Sequence, residues 1–382
     1  MMDLPTPDRY SLSQQVAVSI VALAAMMPTV LQPLLLGALV RAGQISDVQL
    51  GQAATAEQLG MALTAIGLGA WLPPARLKII LFTALALCAL ANLSTASLSG
   101  DAIIVARLAS GLASGTGIWL ITNMIARVEW PARFMGLYVI SQSVAGLLFS
   151  AVLSLWILPH FSAGGGLQAL AAFIALSLAA VAAIPCRLSQ LPKSNGGRLP
   201  SGVGWAGLFV VILYMGAALS IWTYVVPLAT ASGLSPSVAN GTVSAGLAAQ
   251  MLGGLAAALV RRWTAPRVLA GCAALQLAAA ATMTLTDVPA WFVVAGFLFC
   301  FALTLGLSFF IPYLEVLDPS RRAGTFCGGA QLLGQSCGVY LSSLAVGMSG
   351  IYGASHTAIT LLASVIAMIM LSLFLGRRVQ AA

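Results

Sequence analysis

Glu57 and Arg107 are ionisable side chains set well inside long apolar runs of this 382-residue chain. Glu57 lies about five residues into the run 52–72, and Arg107 about five residues into the run 102–126. Even a lenient insertion scale puts a charge at the centre of a membrane helix at about 2.5–3.5 kcal/mol, so an isolated one does not persist idly. The similar depth of the two allows an ion pair. A carboxylate beside a guanidinium that moves away can take up a proton, which is coupling chemistry. The plainer alternative is a static pair, or two side chains snorkelling to the membrane surface. Ala295 stands 188 residues after Arg107, so the arginine is not a relic of internal duplication.

Uncharged polar residues near the centres of other runs are candidates for holding a solute. Thr29 and Gln32 lie between Pro28 and Pro33, where an interrupted helix frees a carbonyl. Gln331 and Gln335 are one helical turn apart and point the same way. Tyr214 and Trp222 are eight apart, again on one helical face, and Gln142 and Gln250 are single amides in their runs. For each single amide the alternative is an interhelical hydrogen bond. Trp119 and Tyr313 read as packing or interface aromatics.

The elements that position these residues follow from composition. Hydrophobic residues make up 60% and charged residues 7%, with a mean hydropathy of +1.00. A water-soluble surface needs about a quarter of the residues charged, so this chain is built for a membrane. Twelve runs of spanning length lie near 16–39, 52–72, 79–98, 102–126, 134–158, 167–185, 203–229, 237–260, 267–285, 289–314, 325–348 and 355–376. Each approximates the roughly 20 residues that cross a 30 Å hydrocarbon layer. The runs 52–72 and 237–260 are rich in Gly and Ala.

The basic excess of +8 reports topology and not a nucleic-acid partner. With residues 1–15 on the cytoplasmic side, fifteen of the seventeen Lys and Arg fall on cytoplasmic segments, from Arg9 through Arg127, Arg133 and Arg322 to Arg378. That is the positive-inside pattern, and it places both termini in the cytoplasm. The acidic, Pro-broken start is no cleavable leader. The six cysteines form no Cys-x-x-Cys pair, and His160 and His356 fall in outer loops, so neither metal nor cofactor is expected. No Gly-rich loop runs into Gly-Lys-Ser/Thr, which removes an ATP cradle.

The chain also repeats itself. Pro131, Arg133, Gly136, Tyr138 and Gly146 recur 188 residues on as Pro319, Arg321, Gly324, Phe326 and Gly334. The polar, turn-rich stretch 186–202 then reads as a cytoplasmic linker between six-helix bundles at 16–185 and 203–376, with a short tail at 377–382. Such a duplication puts a solute site on the axis between halves. Gly111 with Gly115, and Gly334 with Gly338, form small-residue faces for close helix packing.

Six plus six spans with these loops resemble the major facilitator superfamily, in a degenerate form. The loop from Gly69 to Lys78 keeps that family's glycine and basic end without its acidic residue, and Arg261–Arg267 does likewise. Arg107 with Gly111 is similar to the family's Arg-x-x-x-Gly, and Glu315 with Arg322 to its glutamate–arginine pair after the tenth span. At the matching first-half places stand Arg127 and Phe134. The resemblance implies an all-α fold of twelve transmembrane helices in two pseudo-symmetric bundles. It implies a cavity lined by helices one, four, seven and ten with two, five, eight and eleven beside them. It also implies a cytoplasmic gate at Glu315, Arg322, Arg127 and Arg133, for which lipid-headgroup anchoring of Arg133 is the bland alternative.

The resulting expectation is a monomeric secondary transporter in the inner (plasma) membrane and not an enzyme. It would carry a small organic solute, leaning towards an anionic one through Arg107, by alternating access with proton coupling. Membrane lipid and protons are its other partners. Proton-antiport efflux of hydrophobic metabolites or drugs stays open, and so does a non-transporting membrane sensor.

Overall fold

The computed structural model describes residues 10–71, 76–125, 127, 131–188, 199–259, 263–318 and 322–381. Among them the chain forms fourteen α-helices and no β-strand. Lipid offers no partner for backbone N–H and C=O groups, so a spanning chain must satisfy them within helices.

The first pass is broken. α1 (Leu12–Val30) opens with a capping box between Ser11 and Gln14, carries Pro28 inside, and stops at Leu31. α2 (Gln32–Arg41) restarts at once with Pro33 in its first turn. α3 (Asp47–Trp71), α4 (Leu77–Thr95) and α5 (Asp101–Ile125) follow as uninterrupted helices. α6 (Pro131–Val152) runs through a π-helical turn into α7 (Leu158–Ser177), and the chain reverses at Ser162, whose φ is 58°. A 3₁₀ turn, Leu178–Ala183, closes this first set.

The second set is α8 (Gly202–Ala231), α9 (Pro236–Leu259), α10 (Ala265–Leu285), α11 (Pro289–Leu307), the short α12 (Phe310–Leu317), α13 (Arg322–Ser349) and α14 (Tyr352–Ala381). α2 and α8 end alike. Gly43 and Gly233 both take left-handed φ, 69° and 75°, and the next residue's N–H returns to the carbonyl five back, Gln44 to Leu39 and Leu234 to Ala229. That helix stop favours glycine because a Cβ is strained there. The two turns lie 190 residues apart, an echo in backbone geometry of the sequence repeat.

Eight helical stretches are long and apolar enough to cross a membrane: 12–41, 77–95, 101–125, 137–183, 202–231, 265–285, 289–307 and 352–371. α3, α9 and α13 are of comparable length and lie outside that set. α3 packs on α5 and on α13, and α9 packs on α11 and on α6, so these helices face other protein more than lipid. Leu87, Leu90, Val105, Leu148 and Leu298 stay exposed on the outer faces, as a lipid-facing surface requires. The chain is a multi-pass membrane protein.

Helix contacts fall mainly within α1–α7 and within α8–α14, and α3–α13, α6–α9 and α2–α8 join the two sets. Two ends can be told apart. At the near end, Lys78 donates to the Ala182 carbonyl at 2.7 Å and the Leu77 N–H to Cys186 at 3.0 Å. At the far end, Gln49 donates to Asp101 at 2.9 Å and the Gly100 N–H to Gln44 at 2.8 Å. His160 and His356, expected in loops, lie within α7 and α14.

Glycine permits the closest approaches. A Cβ on Gly111 would overlap the Glu57 carbonyl, and one on Gly338 would overlap the Gly216 backbone. Gly338→Ala is expected to destabilise the protein by about 1–3 kcal/mol through overpacking. Gly271→Ala, with open space around the added methyl, should not destabilise it. Thermal unfolding midpoints in detergent compare the two; equal midpoints would discard the close-packing argument.

Candidate functional site

Glu57 and Arg107 form a buried ion pair between α3 and α5. Glu57 has no solvent exposure and Arg107 has 1%. Withdrawing both charges from water costs more than their attraction returns unless further hydrogen bonds complete the site. The neighbours do complete most of it. Gln32 donates to the second carboxylate oxygen at 3.1 Å, and Ser110 reaches the first at 3.5 Å. Arg107 Nη1 donates to Asn92 Oδ1 at 2.6 Å. Asn92 in turn donates to the Cys88 carbonyl at 2.8 Å and to Ser110 at 3.1 Å. Arg107 Nε is left buried without a partner.

The helix break places Gln32. Because α1 stops at Leu31, Gln32 sits at the first position of α2, with no solvent exposure. Its carbonyl oxygen receives the Thr223 hydroxyl of α8 at 3.4 Å. One amide therefore touches the carboxylate of the first helix set and the backbone-spanning helix α8 of the second. Asn92, Ser110 and Thr223 were missed in the sequence. Asn92 carried a usable signal as a lone amide in the apolar run 79–98.

Beside this cluster lies a cavity of about 630 Å³ between the two helix sets. Its wall comes from α1, α3, α5 and α6 on one side and α8, α9, α11 and α13 on the other, the eight helices that the resemblance implies. Gln142, Gln250, Gln331 and Gln335 all line it, with Asn123, Ser143 and Thr304. Trp119, Tyr138, Met26, Met61, Met215 and Leu303 supply apolar surface. Gly328 and Gly329 of α13 and Thr122 of α5 are exposed on its near-end rim.

The far end is closed between the two sets. The Tyr224 hydroxyl and Ser343 both press on Gly51, and Val226 presses on Gly37. Ser343 also donates to the Val48 carbonyl at 3.1 Å. Met61, on the cavity wall, receives the Thr29 hydroxyl at 3.2 Å. A shape open at one end and sealed at the other exposes the cavity to one side only.

Other expected site residues lie elsewhere. Tyr214 and Trp222 do share a face, but it turns into the second helix set. Tyr214 donates to the Ala302 carbonyl at 2.8 Å and meets Phe310 edge-on at 5.3 Å, and Trp222 packs against Gly246 beside Thr242 and Cys300. Neither belongs to the cavity wall. Arg107 does not belong to it either. Of the gate residues, Arg127 is buried and donates to the carbonyl and side-chain oxygens of Asn123 at 2.7 and 2.9 Å. Glu315 lies half-buried near the end of α12, and Arg322 half-buried at the start of α13. The side chain of Arg133 lies outside the described residues. Among the described residues no group of three metal-ligating side chains converges.

No protein-family model matches the chain, and no curated protein matches it. Solved structures share its fold. A point mutant of the nucleoside transporter NupG superposes with a TM-score of 0.73 at 13% identity, over 94% of this chain and 98% of that one. NupG itself gives 0.69 at 15% identity, over 94% and 97%. A bacterial homologue of the human lysosomal transporter Spinster, inward-facing and occupied, gives 0.63 at 12% identity over 96% of each chain. The fold is one that these solved membrane transporters share.

The charged cluster makes a stability prediction. Arg107→Leu leaves the Glu57 carboxylate buried and unpaired, and should cost about 3–5 kcal/mol. Replacing both residues with Gln should recover much of that loss. Thermal unfolding at neutral pH measures both; a single variant as stable as the parent would show that the pair is not buried in this way.

Proposed function

We propose that this protein is a secondary transporter of major-facilitator type, carrying a small organic solute by alternating access. The observation that carries this reading is a solute-sized cavity between two helix sets, open at one end and sealed at the other. The 47-residue stretch 137–183 would be about 70 Å long if straight, far beyond one bilayer crossing, so it counts as two passes. With α3, α9 and α13 added, the passes number twelve, six in each half. The matched turns at Gly43 and Gly233 support the two-fold repeat. With the basic loops facing the cytoplasm, both termini are cytoplasmic and the cavity opens inward in this conformation.

Proton coupling rests on Glu57. In the sealed state the carboxylate is paired with Arg107 and bridged through Gln32 to Thr223. A proton arriving on Glu57 cancels its charge, weakens its hold on Arg107 and changes what Gln32 can accept or donate. The link between halves then loosens on the side that must open next. Glu315, Arg322, Arg127 and Arg133 serve the opposite end as the cytoplasmic gate. The largely apolar wall also fits proton-antiport efflux of hydrophobic metabolites, a second reading that differs in direction and not in architecture.

Counterflow and gradient-driven uptake in proteoliposomes test this reading. Glu57→Gln should retain counterflow, which needs no net proton movement, while accumulation driven by a pH gradient falls to the level seen without one. Undiminished gradient-driven accumulation in that variant would sink proton coupling through Glu57.

A further inference from the structure

We infer that the solute is an uncharged molecule carrying both hydrogen-bond donors and acceptors, held between Gln142 and Ser143 of α6 and Gln335 of α13. The inference rests on the transport reading above and narrows it to a substrate class. Among the described residues, the cavity wall contains no Asp, Glu, Lys, Arg or His. An ion entering such a wall loses hydration that no opposite charge restores. Arg107 and Arg127 have partners of their own, Arg107 in Glu57 and Asn92, and Arg127 in Asn123.

The amides divide into two kinds. Gln331 donates to the Cys327 sulfur at 3.4 Å, so part of its hydrogen-bonding capacity is already used. Gln142, Ser143 and Gln335 make no side-chain hydrogen bond among the described residues, although they line the cavity and are half-buried or buried. Their polar atoms face the open cavity uncommitted to the protein, so a ligand can meet them in place of water. A glutamine amide offers two donors and one acceptor oxygen, a serine hydroxyl one of each, so the matching ligand is an amide, a urea-like ring or a polyol. Gln142 and Gln335 stand on opposite helix sets. A ligand bonded to both ties the halves together across the cavity, and losing either contact should weaken binding from both sides of the membrane.

The test is counterflow in proteoliposomes with solutes of similar size sorted by charge. Nicotinamide, uracil and xylose represent the neutral class, nicotinate and benzoate the anions, and 1-methylnicotinamide (methylated on the ring nitrogen) and choline the cations. The expected result is counterflow confined to neutral members, with Gln142→Leu and Gln335→Leu each raising KM about tenfold, the worth of one lost hydrogen bond. Thermal unfolding confirms that the variants fold. A charged solute as the best substrate, or a neutral one whose KM ignores both substitutions, would overturn the assignment. If an anion is moved and Arg127→Gln abolishes it, the site is an anion site at the near-end rim. Movement of no solute by folded protein removes the transport reading itself, and the substrate class falls with it.

Discussion

A carboxylate and a guanidinium held out of water among tightly packed helices set conditions that much of this molecule meets. Five helices supply the cluster: Glu57 from α3, Arg107 and Ser110 from α5, Asn92 from α4, Gln32 from α2 and Thr223 from α8. Were one of them withdrawn, a buried charge would lose part of the solvation that the protein substitutes for water. The break between α1 and α2 follows from this need. An unbroken helix would leave Gln32 in mid-helix; the stop at Leu31 sets it at a helix start, where its amide meets both Glu57 and Thr223.

Close packing answers the same constraint by other means. α3 approaches α5 through Gly111, and α8 approaches α13 through Gly216 and Gly338, with backbones near enough that a methyl does not fit. In lipid, where apolar side chains gain little from leaving their surroundings, such contact surfaces are a main source of helix association. The helices that carry them are also those bordering the cavity and the opposite helix set.

Much of the fold was legible because its signals are one-dimensional. Run lengths placed the long helices to within a few residues, and Pro28 with Pro33 announced the interruption found at Leu31. The similar depth of Glu57 and Arg107 in the second and fourth runs allowed the ion pair that α3 and α5 make. The reversal between α6 and α7 was expected as a loop of several residues, but it is made at Ser162 inside an otherwise helical stretch. No single residue type announces that turn. Half of the expected cavity residues, Gln142, Gln250, Gln331 and Gln335, reach the wall, while Thr29 bonds Met61, Gln32 joins the charged cluster, and Tyr214 and Trp222 point away.

The reason for that division separates what the sequence determined from what only the tertiary structure decided. The sequence by itself determined a membrane-embedded, all-helical chain with an internal repeat and two out-of-place charges, because hydropathy, helix stops and charge placement act locally. It did not determine rotation about the helix axes. α8 is buried on nearly every side and apolar all round, so no polar stripe tells Tyr214 from Thr223. Which side chain meets the cavity, which meets Glu57 and which is sealed in a core depends on contacts across nearly 200 residues, such as Thr223 to Gln32. Those contacts exist only once the two helix sets close against each other at the far end.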